Sequence, residues 1–377
     1  MTYVQCMQEN QPFIDQTWEK IETKLPHSLA AAQGLDFIPY TTRGRKWEPA
    51  PFDGISWWTN GFWPGLMWQM HLRTGEARYR QEAERAEEML DQALEEFDHL
   101  HHDVGFMWLI SAGANYRITG NPRSRRRALH AATLLAGRFN PKGFIRAWND
   151  DKIGWAIIDC MMNLNLLYWA SEETGDPRYR HMAMAHADTA MEHFVRPDGS
   201  VEHIVCFDPE NGQAMEKPGG QGYASGSSWS RGQAWGVYGF ALSYRHTGKE
   251  AYLRTAAHIA DDFLSCLGED GIPRCDFRQP PEPDWRDSCA GAIAACGMLE
   301  LAEALPWEQG EKYFQGALRM LRAMDLWCAD WSVEEPAILQ MCSASYHDNR
   351  HHFSMVYADF YFVEALARLK GEKFRFW

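Results

Sequence analysis

Asp159 lies in an otherwise apolar run, GWAIIDCMMNLNLLYWA (154–170), with no basic residue close in sequence. A carboxylate there is costly unless it is paired or does chemistry. Asn163, four residues on, shares its helix face and is placed to donate a hydrogen bond to it. Asp103 follows two histidines in HHDVGFMW (101–108) and opens a second apolar run. The plain alternative for Asp103 is an N-cap, and for Asp159 a structural hydrogen-bonding role. Two carboxylates on adjacent buried helices at the same end suggest a general acid/base pair. Repulsion and burial would raise one pKa and keep that group protonated near neutral pH. Glycoside-cleaving sites need this arrangement.

A third feature is SSWSRGQAWGVYGFA (227–241), where Arg231 and Trp235 stand four apart on one helix face. Arg231 near a helix N-terminus opposes the macrodipole. It fits recognition of a carboxylate, a partnership with Asp159 or Asp103, or a structural salt bridge. The histidine pairs at 101–102 and 351–352 lack metal-ligand spacing, and no GxSxG, P-loop or HExxH pattern occurs, so neither metal nor cofactor is expected. The seventeen tryptophans are an excess. Each is either bulky core or a flat face for a sugar ring.

The elements that must position these residues repeat. An apolar run ends in Thr-Gly or Gly and a charged helical run follows, with turn glycines at Gly75, Gly120, Gly175, Gly248, Gly310 and Gly371. Glycine after an apolar helix is a C-cap signal. Six runs are apolar nearly all round: 60–73, 103–118, 154–172, 230–246, 288–304 and 355–370. Five are amphipathic: 76–98, 122–138, 177–194, 249–266 and 310–327, with 11–24 as the sixth. Buried helices alternating with half-buried ones imply two concentric rings. The expectation is an all-α (α/α)6 barrel of six helical hairpins, one domain over 1–377. Strand signals occur only in connections, at 144–148 and 200–208. The long connections (41–59, 139–153, 195–229, 267–287 and 328–354) all precede inner helices and should gather at one mouth.

A net charge of −14 argues against nucleic acid, and an anionic ligand would need a local cationic pocket. Nine scattered cysteines without CxxC spacing read as reduced thiols. The first residues lack a secretory pattern, and no apolar run is long enough for a membrane span. A cytoplasmic location is expected; the oligomeric state is left open.

At these residues the chain resembles the unsaturated glucuronyl hydrolases, glycoside hydrolase family 88. The stretches are WWTNGFWPG (57–65), HHDVGFMW, IIDCMMNLNLLYWA (157–170), GDPRYR (175–180), FDPENG (207–212), SSWSRGQAWGVYGFAL (227–242), RDSCAGAIAACGMLEL (286–301) and SYH (345–347). The resemblance implies the same barrel and a substrate made by polysaccharide lyases, with a C4=C5 unsaturated uronic acid at its non-reducing end. It implies hydration of that vinyl ether, with Asp159 protonating C4 and Asp103 as the second essential carboxylate. It also implies that Trp58, Trp148 and Trp235 wall the sugar, that His203, Gln221 and Arg231 contact the unsaturated ring, and that Tyr346 and His347 lie at the mouth. The expected ligand is an unsaturated uronyl disaccharide or short oligosaccharide.

EKPGGQG (216–222) departs from the family's more usual Gly-Gly-Thr-His-Gln-Gly, and the Ser-x-Ser-x-Lys pattern that some relatives use for a sulfate is absent. Arg350, His351 and His352 are either substitutes for it or part of a solvated loop. Two rival readings stand beside the first: a hydrolase of unsaturated rhamnogalacturonyl sugars from pectin, and a non-catalytic sugar-binding or scaffold barrel.

Overall fold

A computed structural model describes residues 2–51 and 54–377. The inner helices are Phe62–Thr74, 104–119, Cys160–Thr174, Ser230–Thr247, Ser288–Ala304 and Val356–Leu369. The second contains a π-helical turn at Leu109–Gly113. Each packs on the next, and the last packs on the first, so the ring closes. The outer helices are Tyr3–Ala32, Ala77–Met89, Pro122–Gly137, Pro177–His193, Glu250–Cys266 and Trp307–Ala323. This is the expected (α/α)6 barrel, with one core running from Cys6 to Trp377 and a small satellite around Ala147, Ile157, Ile204 and Cys206.

The Thr-Gly turns have a physical cause. Gly75, Gly120, Gly175 and Gly248 cap their helices at φ of 71°, 77°, 72° and 68°, where a side chain is disfavoured. The preceding threonine hydroxyl donates to the carbonyl four residues back and accepts the N–H two residues on, as Thr74 does with Met70 (2.8 Å) and Glu76 (3.2 Å). Thr119, Thr174 and Thr247 repeat the pattern. Asn121 and Asp176 then cap the outgoing helices, each with proline at the first helical position. Gly310 is a correction. It lies inside Trp307–Ala323, pressed against Ala302, and the turn there is made by Leu305 and Pro306.

The N-terminal helix covers far more than 11–24 and runs through Pro12 and Pro26. The expected inner helix at 154–172 starts later. Trp155–Ile157 is a strand paired with Ile204–Phe207, which pairs with Ala214–Glu216. Hairpins at 41–48 and 139–145 occupy two other connections. At the end where the inner helices finish, Phe376 and Trp377 return into the core, where Trp377 stacks on Tyr361 at 5.9 Å.

Candidate active site

The starts of the inner helices carry the acidic residues. Asp103, Asp159 and Asp287 each occupy an N-cap position, and none uses its side chain to cap its helix. Asp159 is therefore at the edge of its apolar helix, not inside it. Its carboxylate is not spent on capping the helix.

Asn163 ties the first two helix starts together. Its Oδ1 accepts the Phe106 N–H at 2.9 Å, and its Nδ2 donates at 3.4 Å both to Asp103 Oδ1 and to the Asp159 main-chain carbonyl. Its bond to Asp159 thus goes to the backbone and not to the carboxylate. The close approach requires Gly105, because a Cβ there would lie 2.6 Å from Asn163 Oδ1.

Among the described residues, three buried polar atoms at this place have no hydrogen-bond partner: Asp159 Oδ1, His203 Nε2 and Trp235 Nε1. Asp159 Oδ1 and His203 Nε2 are 3.7 Å apart. His203 Nδ1 accepts the Gln221 N–H at 2.9 Å, which leaves the proton of the neutral ring on Nε2, facing Asp159. Burial pulls His203 and His102 down to about 3, so both are neutral. The Trp235 indole N–H also favours the Asp159 anion. Buried unpaired polar groups are rare, and several at one place mark a position built for something outside the chain.

Burial pushes Asp159 up to about 8, the charge of Asp103 adds to this, and Arg231 opposes it. Burial lifts Asp103 to about 6, opposed first by His101, then by Asn163 and Arg138. The two carboxyls are thus spread across neutrality, one protonated and one ionised.

Around them, Trp58 opens the first inner helix and packs 5.3 Å from Phe106 and 4.8 Å from Tyr357. Trp235 packs 5.1 Å from Phe106 on the other side. Trp148 is half-buried beside Trp155. Its connection is clamped by Arg138, which donates to the carbonyls of Leu100, Arg146, Ala147 and Trp148 and to Asn149. Gln221 donates Nε2 to the Ala344 carbonyl and accepts the Tyr346 N–H, while His347 Nε2 bonds the Tyr223 carbonyl. These contacts zip 219–223 to 343–347. Gly220 must be glycine, since it sits at φ 57° with the His203 ring 2.1 Å from where a Cβ would be.

Of the readings open for Arg231, the one seen is the structural salt bridge. Its partner is Asp287, at 2.9 Å and 3.0 Å, and neither Asp159 nor Asp103. Its other donors go to Tyr357 Oη at 2.6 Å and the Ser343 carbonyl at 2.5 Å. Arg350 donates to the Thr42 carbonyl, His352 accepts the Arg286 N–H, and His351 stacks on Trp285 at 4.0 Å. Sequence reasoning missed Arg138 and Tyr357 as organisers, and no local pattern announces either. Asp287, by contrast, directly precedes the apolar run at 288–304.

Among the described residues no three His, Cys, Asp or Glu side chains gather as a metal-binding group, and no helix is long and apolar enough to cross a membrane.

The Glycosyl Hydrolase Family 88 pattern matches residues 20–351. An unsaturated glucuronyl hydrolase of Bacillus sp. (strain GL1) is 40% identical over 334 residues, covering 85% of this chain and 88% of that protein. An unsaturated chondroitin disaccharide hydrolase of Streptococcus pyogenes serotype M1 is 35% identical over 331 residues, covering 85% and 83%. The crystal structure of the unsaturated glucuronyl hydrolase from Bacillus sp. GL1 superposes with a TM-score of 0.88 at 36% identity, covering 94% of this chain and 97% of that one. The chain is a member of glycoside hydrolase family 88.

Proposed function

We propose that this enzyme releases C4=C5 unsaturated glucuronic acid from lyase-generated glycosaminoglycan disaccharides, with Asp159 as general acid and Asp103 as its partner. The observation that carries the reading is the convergence of Asp159, His203 and Trp235 polar atoms, unpartnered and buried, beside a second carboxylate. The relatives' names, glucuronyl and chondroitin disaccharide hydrolases, favour this sugar over a pectin-type one.

Protonated Asp159 delivers its proton to C4 of the vinyl ether. Positive charge develops at C5, stabilised by the ring oxygen, and water adds there. Asp103, ionised, accepts the proton of that water. Collapse of the C5 hemiketal opens the ring, leaving a hemiacetal at C1 that expels the second sugar. Trp58, Trp148 and Trp235 wall the sugar, and His203, with Nε2–H toward Asp159, donates to a sugar oxygen at the same place. Gln221 and Arg231 act mainly by holding the wall, and Tyr346 and His347 line the rim. The whole chain works as one catalytic domain. Its place is the cytoplasm, where nine unpaired cysteines stay reduced.

The test is the ultraviolet absorbance of unsaturated chondroitin, hyaluronan and heparin disaccharides mixed with the enzyme. The conjugated double bond absorbs and its hydration abolishes the band. Decay with at least one of the three supports the reading. A flat trace with all three, together with decay of a pectin-derived disaccharide, would replace it.

A further inference from the structure

An anionic sugar entering a chain of net charge −14 needs a fixed cation at the mouth. Arg231 does not provide one, because its donors go to Asp287, Tyr357 and Ser343. Arg138 is likewise turned to main-chain carbonyls and Asn149.

Lys152 is different. Its Nζ lies 5.2 Å from the Trp148 ring centre and 5.0 Å from that of Trp155. Two indole faces hold the ammonium by cation–π attraction, and no described acidic side chain pairs with it. An ammonium has three donors, and two ring faces leave at least one of them for an anion.

Both rings hang from the segments that set the carboxylates. Trp148 follows Ala147, whose carbonyl accepts from the His102 N–H at 3.2 Å and its Nδ1 at 3.1 Å, next to Asp103. Trp155 begins the strand that runs into Asp159. The two rings that hold the cation thus belong to the segments leading into the acid pair.

We infer that Lys152, held between Trp148 and Trp155, recognises an anionic group on the substrate, either a sulfate ester on the second sugar or the uronate carboxylate. This deepens the proposed function and rests on it.

The test compares unsaturated chondroitin disaccharides with and without a sulfate ester. Calorimetric Kd is measured for Asp159→Asn and for the double variants that add Lys152→Gln or Lys152→Arg, so binding is read without turnover. Lys152 is only half-buried on a connection, and its replacement leaves the core untouched. A lost charge-assisted contact raises Kd about tenfold for Lys152→Gln, and Lys152→Arg restores most of it. Higher salt shrinks the difference. A rise confined to the sulfated sugar assigns the sulfate, and an equal rise with both assigns the carboxylate. Unchanged Kd with both overturns the inference. The unsubstituted enzyme is assayed by absorbance in parallel, and failure there strikes the proposed function instead.

Discussion

Two buried charged corners face the same mouth and are built in opposite ways. At Arg231–Asp287 every guanidinium nitrogen has a partner: Asp287, Tyr357 and Ser343 take them, and Trp229 and Tyr357 flank the group. At Asp159–His203 the two groups stop 3.7 Å apart and the facing atoms have no hydrogen-bond partner among the described residues. Both carboxylates occupy N-cap positions on buried helices. The difference is the neighbour. Burial raises both carboxyls, but the adjoining Arg231 guanidinium opposes the rise at Asp287, whereas the charge of Asp103 adds to it at Asp159. A matched corner holds structure, and an unmatched one is available for chemistry.

The largest way to break that contrast is Asp159→Asn. Activity should fall by about 10²–10⁴, the usual weight of a general acid, while thermal unfolding stays within a few degrees of the unsubstituted enzyme. Retained turnover would move the acid elsewhere. Next comes the matched corner. Arg231→Met strands Asp287, and urea unfolding should show a loss of about 3–5 kcal/mol. The double change Arg231→Met with Asp287→Leu should recover most of it. Third, Gly105→Ala pushes a Cβ against Asn163 and parts the helices that carry the two acids. About 1–3 kcal/mol of stability should go, and kcat should fall more than KM rises.

The smallest effect is in the pH profile. Activity needs Asp103 ionised and Asp159 protonated, so kcat/KM should fall below about 6 and above about 8. Asn163 donates to Asp103 and stabilises its anion. Asn163→Leu should therefore move the acid limb upward and leave the alkaline limb nearly in place. Movement of both limbs together would point to a general loosening.

Much of this was legible before the fold was known. The Thr-Gly ends carry a local cause, a hydroxyl and a left-handed glycine, and they marked four inner helices directly. Gly310 misled because a glycine inside a helix and one at its end look alike when close packing is the reason for it. Asp159 was recognisable as an anomaly, yet its N-cap position was not. Strand Trp155–Ile157 is as apolar as the helix after it, and only its partner, Ile204–Phe207, distinguishes them. Arg231's partners lie 56, 112 and 126 residues away, beyond any spacing argument.

The central claim is that Asp159 is an acid near neutrality because burial and Asp103 make it so. Difference infrared spectroscopy, unsubstituted enzyme minus Asp159→Asn, titrates the protonated-carboxyl band directly. The account predicts a midpoint at about 8. A band already gone by about pH 5, near the ordinary carboxylate range, would contradict it.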